Sequence, residues 1–475
     1  MRGMFFGGLA SVLVMVLMLL PDVPLVSGDC TQAIAGNYEG VAGSPAHPAV
    51  DGRDNYVYAV FTLYNQKYEM YNVAIRYSAN GGQSWGPTYW VSESPRNQDF
   101  SDIKVVPAPG AGVIHIVWQE KVSDGDGNQY WVVKHRAARP GPIYDPAYYP
   151  YYWTSVVQLS NNGYGSDAKY PKVSAGDEDD EGSGDNSWVH VTWQEDVDGT
   201  TGGVEWGIKY REGYVTYNVN SNPMISVSWS QIYSLSSDGD GLDAVHPAIA
   251  SSSEVLGQGG PVQEHWYVVW ERSGWIEFVG GMSVPGNPPI MGPVQDIINT
   301  GTASEPDVSA SFNEVDVVWQ EPEESQNAGE VFMRKSTDYG NTWNPAFRVT
   351  PLGYPAIDLS TWGPAIDTDS TRTYIVMVCY TDNTETDNEV YYSVYDHSSQ
   401  TWVKNEWNPY PPYAEIYYPN AKENYPDVAT ELQYSGIPGP SGAVCGLVVF
   451  ENTTATQQQI VYTRYNPTDT SHGYV

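Results

Sequence analysis

Pro306-Asp307-Val308, followed by Val315-Asp316-Val317-Val318-Trp319-Gln320-Glu321, is the stretch whose reading decides the fold. A short Pro-led strand is followed, after a turn, by an apolar strand that ends in Trp-Gln-Glu, and no helical period runs through either piece. The first element recurs at Pro48-Ala49-Val50, Pro171-Lys172-Val173, Pro247-Ala248-Ile249, Pro364-Ala365-Ile366 and Pro426-Asp427-Val428, with a degenerate copy at Ser101-Asp102-Ile103. The second element ends at Phe61, Trp118, Trp193, Trp270, Trp319, Tyr380 and Phe450, spaced 49 to 77 residues apart. That spacing fits four short strands plus loops of variable length. A four-stranded unit cannot bury both its faces alone, so the copies must stack, and radial stacking gives a β-propeller. The expectation is an all-β chain with seven four-stranded blades, strands a to d running from the axis outward. Their approximate limits are 44–92, 93–160, 161–236, 237–299, 300–350, 351–407 and 408–465. The last copy lacks a d strand, and residues 31–37 are expected to supply it and close the ring.

The chain has 475 residues, with 57 acidic against 22 basic side chains and a formal charge of −35. Such a balance excludes a nucleic-acid binder that works by charge and disfavours anionic membranes. Hydrophobic residues reach 41% while charged ones stop at 17%, which excludes a disordered acidic tail. Residues 1–28 read as a secretory signal: Arg2, an apolar run from Met4 to Leu20, Pro21 and Pro24, then Val26-Ser27-Gly28. The domain at 29–475 is therefore expected to be secreted or cell-surface associated, with no transmembrane helix in the mature chain. Three cysteines cannot make a disulfide framework, and Cys379 and Cys445 are expected to be free thiols.

Two turns between strands c and d share a motif: Ser78-Ala79-Asn80-Gly81-Gly82-Gln83-Ser84-Trp85 and Ser336-Thr337-Asp338-Tyr339-Gly340-Asn341-Thr342-Trp343. Both resemble the Asp box, or bacterial neuraminidase repeat, of the sialidase-like propellers, and Ser393 to Trp402 resembles a decayed third copy. In that family the Asp box is a structural staple on the face away from the active site, so the resemblance implies fold and places the working face at the b–c and d–a loops. The family includes sialidases, other glycoside hydrolases and binding proteins. A sialidase gathers three arginines around its substrate carboxylate. Of the eleven arginines after the signal, only Arg96 and Arg272 are expected to reach the working face.

Other candidates lie at the ends of b strands. Glu120, Glu195, Glu321 and Asp382 offer carboxylates that, suitably paired, run glycoside hydrolysis. Their recurrence in most blades points instead to a repeated structural hydrogen bond or a solvated rim. Asp124, Asp126 and Asn128 alternate as oxygen ligands do in a calcium loop, the one cofactor the sequence suggests. Tyr410, Tyr413, Tyr417 and Tyr418 form an aromatic stretch suited to stacking on sugars or anchoring a protein partner, and Arg272 is a further ligand-binding candidate. The resulting expectation is an exported acidic propeller that binds glycan or extracellular protein at the b–c/d–a face. The alternative is a glycoside hydrolase acting on a sugar other than sialic acid.

Overall fold

The structure is a computed structural model. It describes residues 32–36 and, with interruptions, 46–465; outside the description lie 1–31, 37–45, 107–112, 140–151, 177–185, 199–203, 256–261, 323–327, 350–356, 381–387, 405–421, 432–444, 454–457, 466–475 and a few shorter stretches. The signal segment, Cys30, Asp382 and the four tyrosines between 410 and 418 therefore fall outside it.

The described residues form seven antiparallel sheets, six of them built from strands consecutive in sequence. The innermost strands are Ala46–Arg53, Gln98–Val106, Ala168–Ala175, Ala244–Val255, Ser304–Ser311, Ala365–Thr368 and Lys422–Glu431. Each packs on the next, and the seventh packs on the first, so the sheets close into a ring as a β-propeller. The seventh sheet takes its outer strand from the chain start: Gln32–Gly36 pairs antiparallel with Gln458–Tyr465. Among the described residues, no helix is long and apolar enough to cross a membrane.

Hydrophobic burial holds neighbouring sheets together, and this explains the continuous apolar run of the b strands. One cluster joins Val60 and Ile75 of the first sheet to Ile116 and Trp118 of the second; another joins Tyr267 and Phe278 of the fourth to Val317 and Trp319 of the fifth. Trp118, Trp193, Trp270 and Trp319 are fully buried. In the sixth sheet Ala365 pairs with Val376, as Asp307 pairs with Val318 in the fifth. Met377, not Tyr380, therefore stands at the level of the buried aromatic, because the strand Arg372–Tyr380 runs three residues past it. This corrects the repeat as read from sequence. It also places Cys379 two positions after that level and Cys445 five before it, roughly 20 Å apart along the strands.

Two sets of polar staples supplement the apolar packing. Asp carboxylates lining the channel reach backbone amides of the next sheet: Asp51 to Val105 at 2.6 Å, Asp102 to Val173 at 2.7 Å, Asp307 to Ile366 at 2.9 Å and Asp427 to Val50 at 2.8 Å. At the outer side, arginines on c strands tie a sheet to the one before it. Arg136 donates to Thr154 O at 2.9 Å and to Val91 O at 2.5 Å; Arg211 donates to Ser230 O at 2.7 Å and Leu159 O at 2.9 Å. Arg76 and Arg334 repeat the pattern toward Ile34 and Ile297. These arginines serve packing, and burial lowers the Arg136 guanidinium to about 10.

The two matching c–d turns share one hydrogen-bond scheme. Gly82 and Gly340 amides donate to Ser78 and Ser336 Oγ at 2.9 Å, while Ser84 and Thr342 amides donate to Asn80 and Asp338 Oδ1 at 2.9 and 2.8 Å. Gly340 has φ +79, and a Cβ there would meet Phe278 at 2.4 Å, so both backbone and space require glycine. In the stretch from Ser393 to Trp402, Ser393 lies within strand Asn388–Asp396, and Asp396 accepts from Ser398 Oγ and Ser399 N.

Arg211→Ala removes two charge-assisted bonds, one within its own sheet and one across the sheet boundary, and should destabilise the fold by about 1–3 kcal/mol. Arg211→Lys should recover little, because an ammonium cannot bridge both carbonyls. Urea denaturation of the two variants checks this.

Candidate functional site

The inner strands are not regular. In six of them the register shifts by one residue near the start, at Ala46/Ala49, Asp99/Asp102, Lys169/Lys172, Val245/Ala248, Ser304/Asp307 and Asn424/Asp427. The extra residue makes a β-bulge. His47, Phe100, Tyr170, His246 and Glu305 occupy it with φ between 43 and 52. Such left-handed backbone is costly for residues with a Cβ, and it clusters at functional sites. Proline follows four of the five, and having no N–H it leaves no donor unmet where the ladder is broken.

The Trp-Gln-Glu motif accounts for how the bulge is held. The residue after the buried aromatic reaches across to the next sheet: Gln119 accepts from Tyr170 N at 3.0 Å, and Gln194 accepts from His246 N at 3.1 Å. Glu271, at the same position after Trp270, accepts from Glu305 N at 3.4 Å. The following Glu turns to its own indole, Glu195 accepting from Trp193 at 2.9 Å and Glu321 from Trp319 at 2.7 Å. Glu120 instead accepts from Gln98 at 2.8 Å and pairs with Arg96 at 3.3 Å.

The bulge residues converge at one mouth of the central channel, on the d–a loop side, around a cavity of about 170 Å³. His47 stacks on Phe100 at 3.9 Å, Phe100 meets Tyr170 edge-on at 4.5 Å, and Tyr170 meets His246 at 6.0 Å. Carboxylates flank both ends of this arc. Asp99 Oδ1 lies 2.5 Å from His47 Nδ1, and His246 Nδ1 lies 3.2 Å from both Glu271 Oε2 and Glu305 Oε1. Burial pushes the Glu305 carboxyl up, opposed by His246 and reinforced by Glu271. Burial alone would lower His246, but the two glutamates outweigh it and raise the imidazole. Burial raises Tyr170 as well, helped by Glu305 and Asp99, so its hydroxyl stays a donor.

Below the mouth, the channel narrows between Asp51, Asp102, Asp307, Asp367 and Asp427, with Lys104 and Lys172 among them. Burial raises Asp51 and Asp307 to about 6 and Asp427 to about 7. These groups already hold backbone amides, so the channel wall is structural.

The residues proposed from sequence fall elsewhere. Arg272 is bound within its own sheet by Asp240 and by Glu277 at 3.3 Å, and Arg96 by Glu120 two sheets away. No arginine lines the mouth among the described residues. Asp124 uses both oxygens on its own turn, accepting from Asp126 N, Asn128 N and Asn128 Nδ2, each at 2.9 Å. Those bonds hold its carboxyl below the usual range. Glu120, Glu195 and Glu321 are not brought together. The mouth residues were missed, although a signal existed: an aromatic, His or Glu directly before the recurring Pro.

No family model matches the sequence, and no curated protein matches it. Among solved structures, an α-L-arabinanase from Penicillium chrysogenum aligns at 10% identity over 90% of this chain and 95% of that one, with a TM-score of 0.41. The β-propeller domain of the Trilobed protease from Pyrococcus furiosus aligns at 8% identity over 90% and 97%, TM-score 0.38, and the Aleuria aurantia lectin at 12% over 75% and 93%, TM-score 0.38. None of these similarities assigns an activity to this chain.

The mouth should titrate. A His246 pKa raised above its unfolded value adds stability that is full below about 6.5 and is lost as pH rises through the folded pKa. His246→Gln should therefore lower Tm more at pH 6 than at pH 9. Calorimetry at the two pH values checks this.

Proposed function

We propose that this chain is an exported carbohydrate-binding propeller of the Asp-box, sialidase-like kind, and that its ligand seats on the channel mouth. The observation that carries this reading is the arc His47–Phe100–Tyr170–His246 with Asp99, Glu271 and Glu305 at its ends. Aromatic faces stack on the apolar side of a sugar ring, while carboxylates and a phenol hydroxyl satisfy its hydroxyl groups. With no arginine at the mouth among the described residues, a sugar carboxylate finds no bidentate partner there, which favours a neutral or amino sugar over a sialoside.

A second reading rests on one observation. Glu271 and Glu305 share a single imidazole, which brings them within the ~5–10 Å that paired carboxylates need for glycoside hydrolysis. Glu305, whose pKa is raised, would be the acid.

A glycan array followed by calorimetric titration separates the readings. Phe100→Ala and Tyr170→Ala should each weaken binding of a hit roughly 3- to 10-fold, in keeping with ~0.5–1.5 kcal/mol per aromatic contact, with no reducing ends and no sialic acid released. Sugar release that disappears in Glu305→Gln favours the hydrolase. Binding that neither aromatic variant changes contradicts the mouth as the site.

A further inference from the structure

On the opposite face, Glu314 and Asp316 open the b strand Glu314–Pro322 of the fifth sheet, and His397 lies in the c–d turn of the sixth. One ligating atom from each lies within 4.8 Å of the other two. His397 Nε2 is 3.1 Å from Glu314 Oε1. Two threonines of the sixth sheet orient Asp316: Thr373 Oγ1 donates to its Oδ2 at 2.7 Å and Thr368 Oγ1 at 3.4 Å. Asp316 Oδ1 has no hydrogen-bond partner, although the residue is completely buried. A buried carboxylate oxygen left unpaired is expensive, and such an atom calls for an explanation. At the corresponding level of the third sheet, three residues before Trp193, His190 meets Tyr210 of its own sheet at 2.8 Å and Glu264 of the next sheet at 3.3 Å.

We infer that Glu314, Asp316 and His397 form a binding site for a borderline divalent cation of the zinc class, clamping the fifth sheet to the sixth. One imidazole and two carboxylates are a donor set such a cation accepts, with water completing four-coordination. Ligand distances of ~2.0–2.2 Å need donor atoms roughly 3.5 Å apart, so closing the cluster around an ion takes a shift of about 1 Å. Thr373 and Thr368 fix the carboxylate that points inward, as outer-shell partners do at metal sites. Glu314 and His397 keep 18% and 14% of their side chains exposed, which leaves an entry path. Lys335 is the competitor. Its ammonium bonds Glu314 and stands over the Tyr395 ring at 5.6 Å, so a cation entering must displace it. This makes the site weaker than its ligands alone would set, and it gives the test its sign.

The experiment is Zn²⁺ titration of chelator-treated full-domain protein by calorimetry, with thermal unfolding followed in parallel. The wild type should take up one equivalent and gain Tm. Asp316→Asn and His397→Gln should each weaken that step at least 10-fold, and Lys335→Gln should strengthen it at least 3-fold. Since Asp316→Asn sits in the core, His397→Gln, at a partly exposed turn position, carries the result if the former fails to fold. No stoichiometric uptake by wild type and Lys335→Gln, or uptake unchanged in His397→Gln, overturns the assignment and leaves the cluster as a lysine-neutralised contact.

Discussion

The structure depends on a polar side chain that crosses from one sheet to hold a bulge in the next. Gln119, Gln194 and Glu271 each follow a buried Trp and each accept the backbone amide of a bulge residue in the following sheet. The bulge residues adopt left-handed backbone, at a cost of roughly 1–2 kcal/mol each for a side chain with a Cβ. A buried amide without an acceptor would add a comparable penalty. The cross-sheet acceptor removes the second cost, and the proline that follows the bulge removes a further donor. One motif thus bends the inner strand, aims a side chain at the channel and registers two sheets.

Everything else in the ring works around that geometry. Bending the inner strands at their starts leaves space at one mouth above a narrower channel, where Asp51, Asp102, Asp307 and Asp427 tie four of the seven sheets to the next. The arginines Arg76, Arg136, Arg211 and Arg334 do the same work at the outer strands. These arginines are therefore spent on cohesion, away from the mouth. The division of labour between faces follows: turns stapled by Ser78–Asn80 and Ser336–Asp338 on one side, an aromatic and acidic arc on the other.

Much of this was legible in the sequence. The Pro-x-[Val/Ile] and Trp-Gln-Glu elements reported a strand rhythm directly, because strand alternation and the need to bury both faces leave a periodic trace. The use of Glu195 and Glu321 on neighbouring indoles follows from their recurrence after Trp. The site was less legible. His47, Phe100, Tyr170, His246 and Glu305 come from five sheets, share no single residue type and are joined only by the ring. The position of four of them before Pro carried the signal, but a one-residue bulge has no period. Met377 escaped for a similar reason: Tyr380 imitates the aromatic, and only strand register shows that it lies three residues too far along.

The most direct test of the account is a crystal structure with a bound sugar. The account predicts a pyranose or furanose ring in contact with Phe100 and Tyr170, its hydroxyl groups within hydrogen-bond distance of Asp99, Glu271 or Glu305. A sugar seated instead against the turns at Ser78–Trp85 and Ser336–Trp343, with the mouth empty, would contradict it.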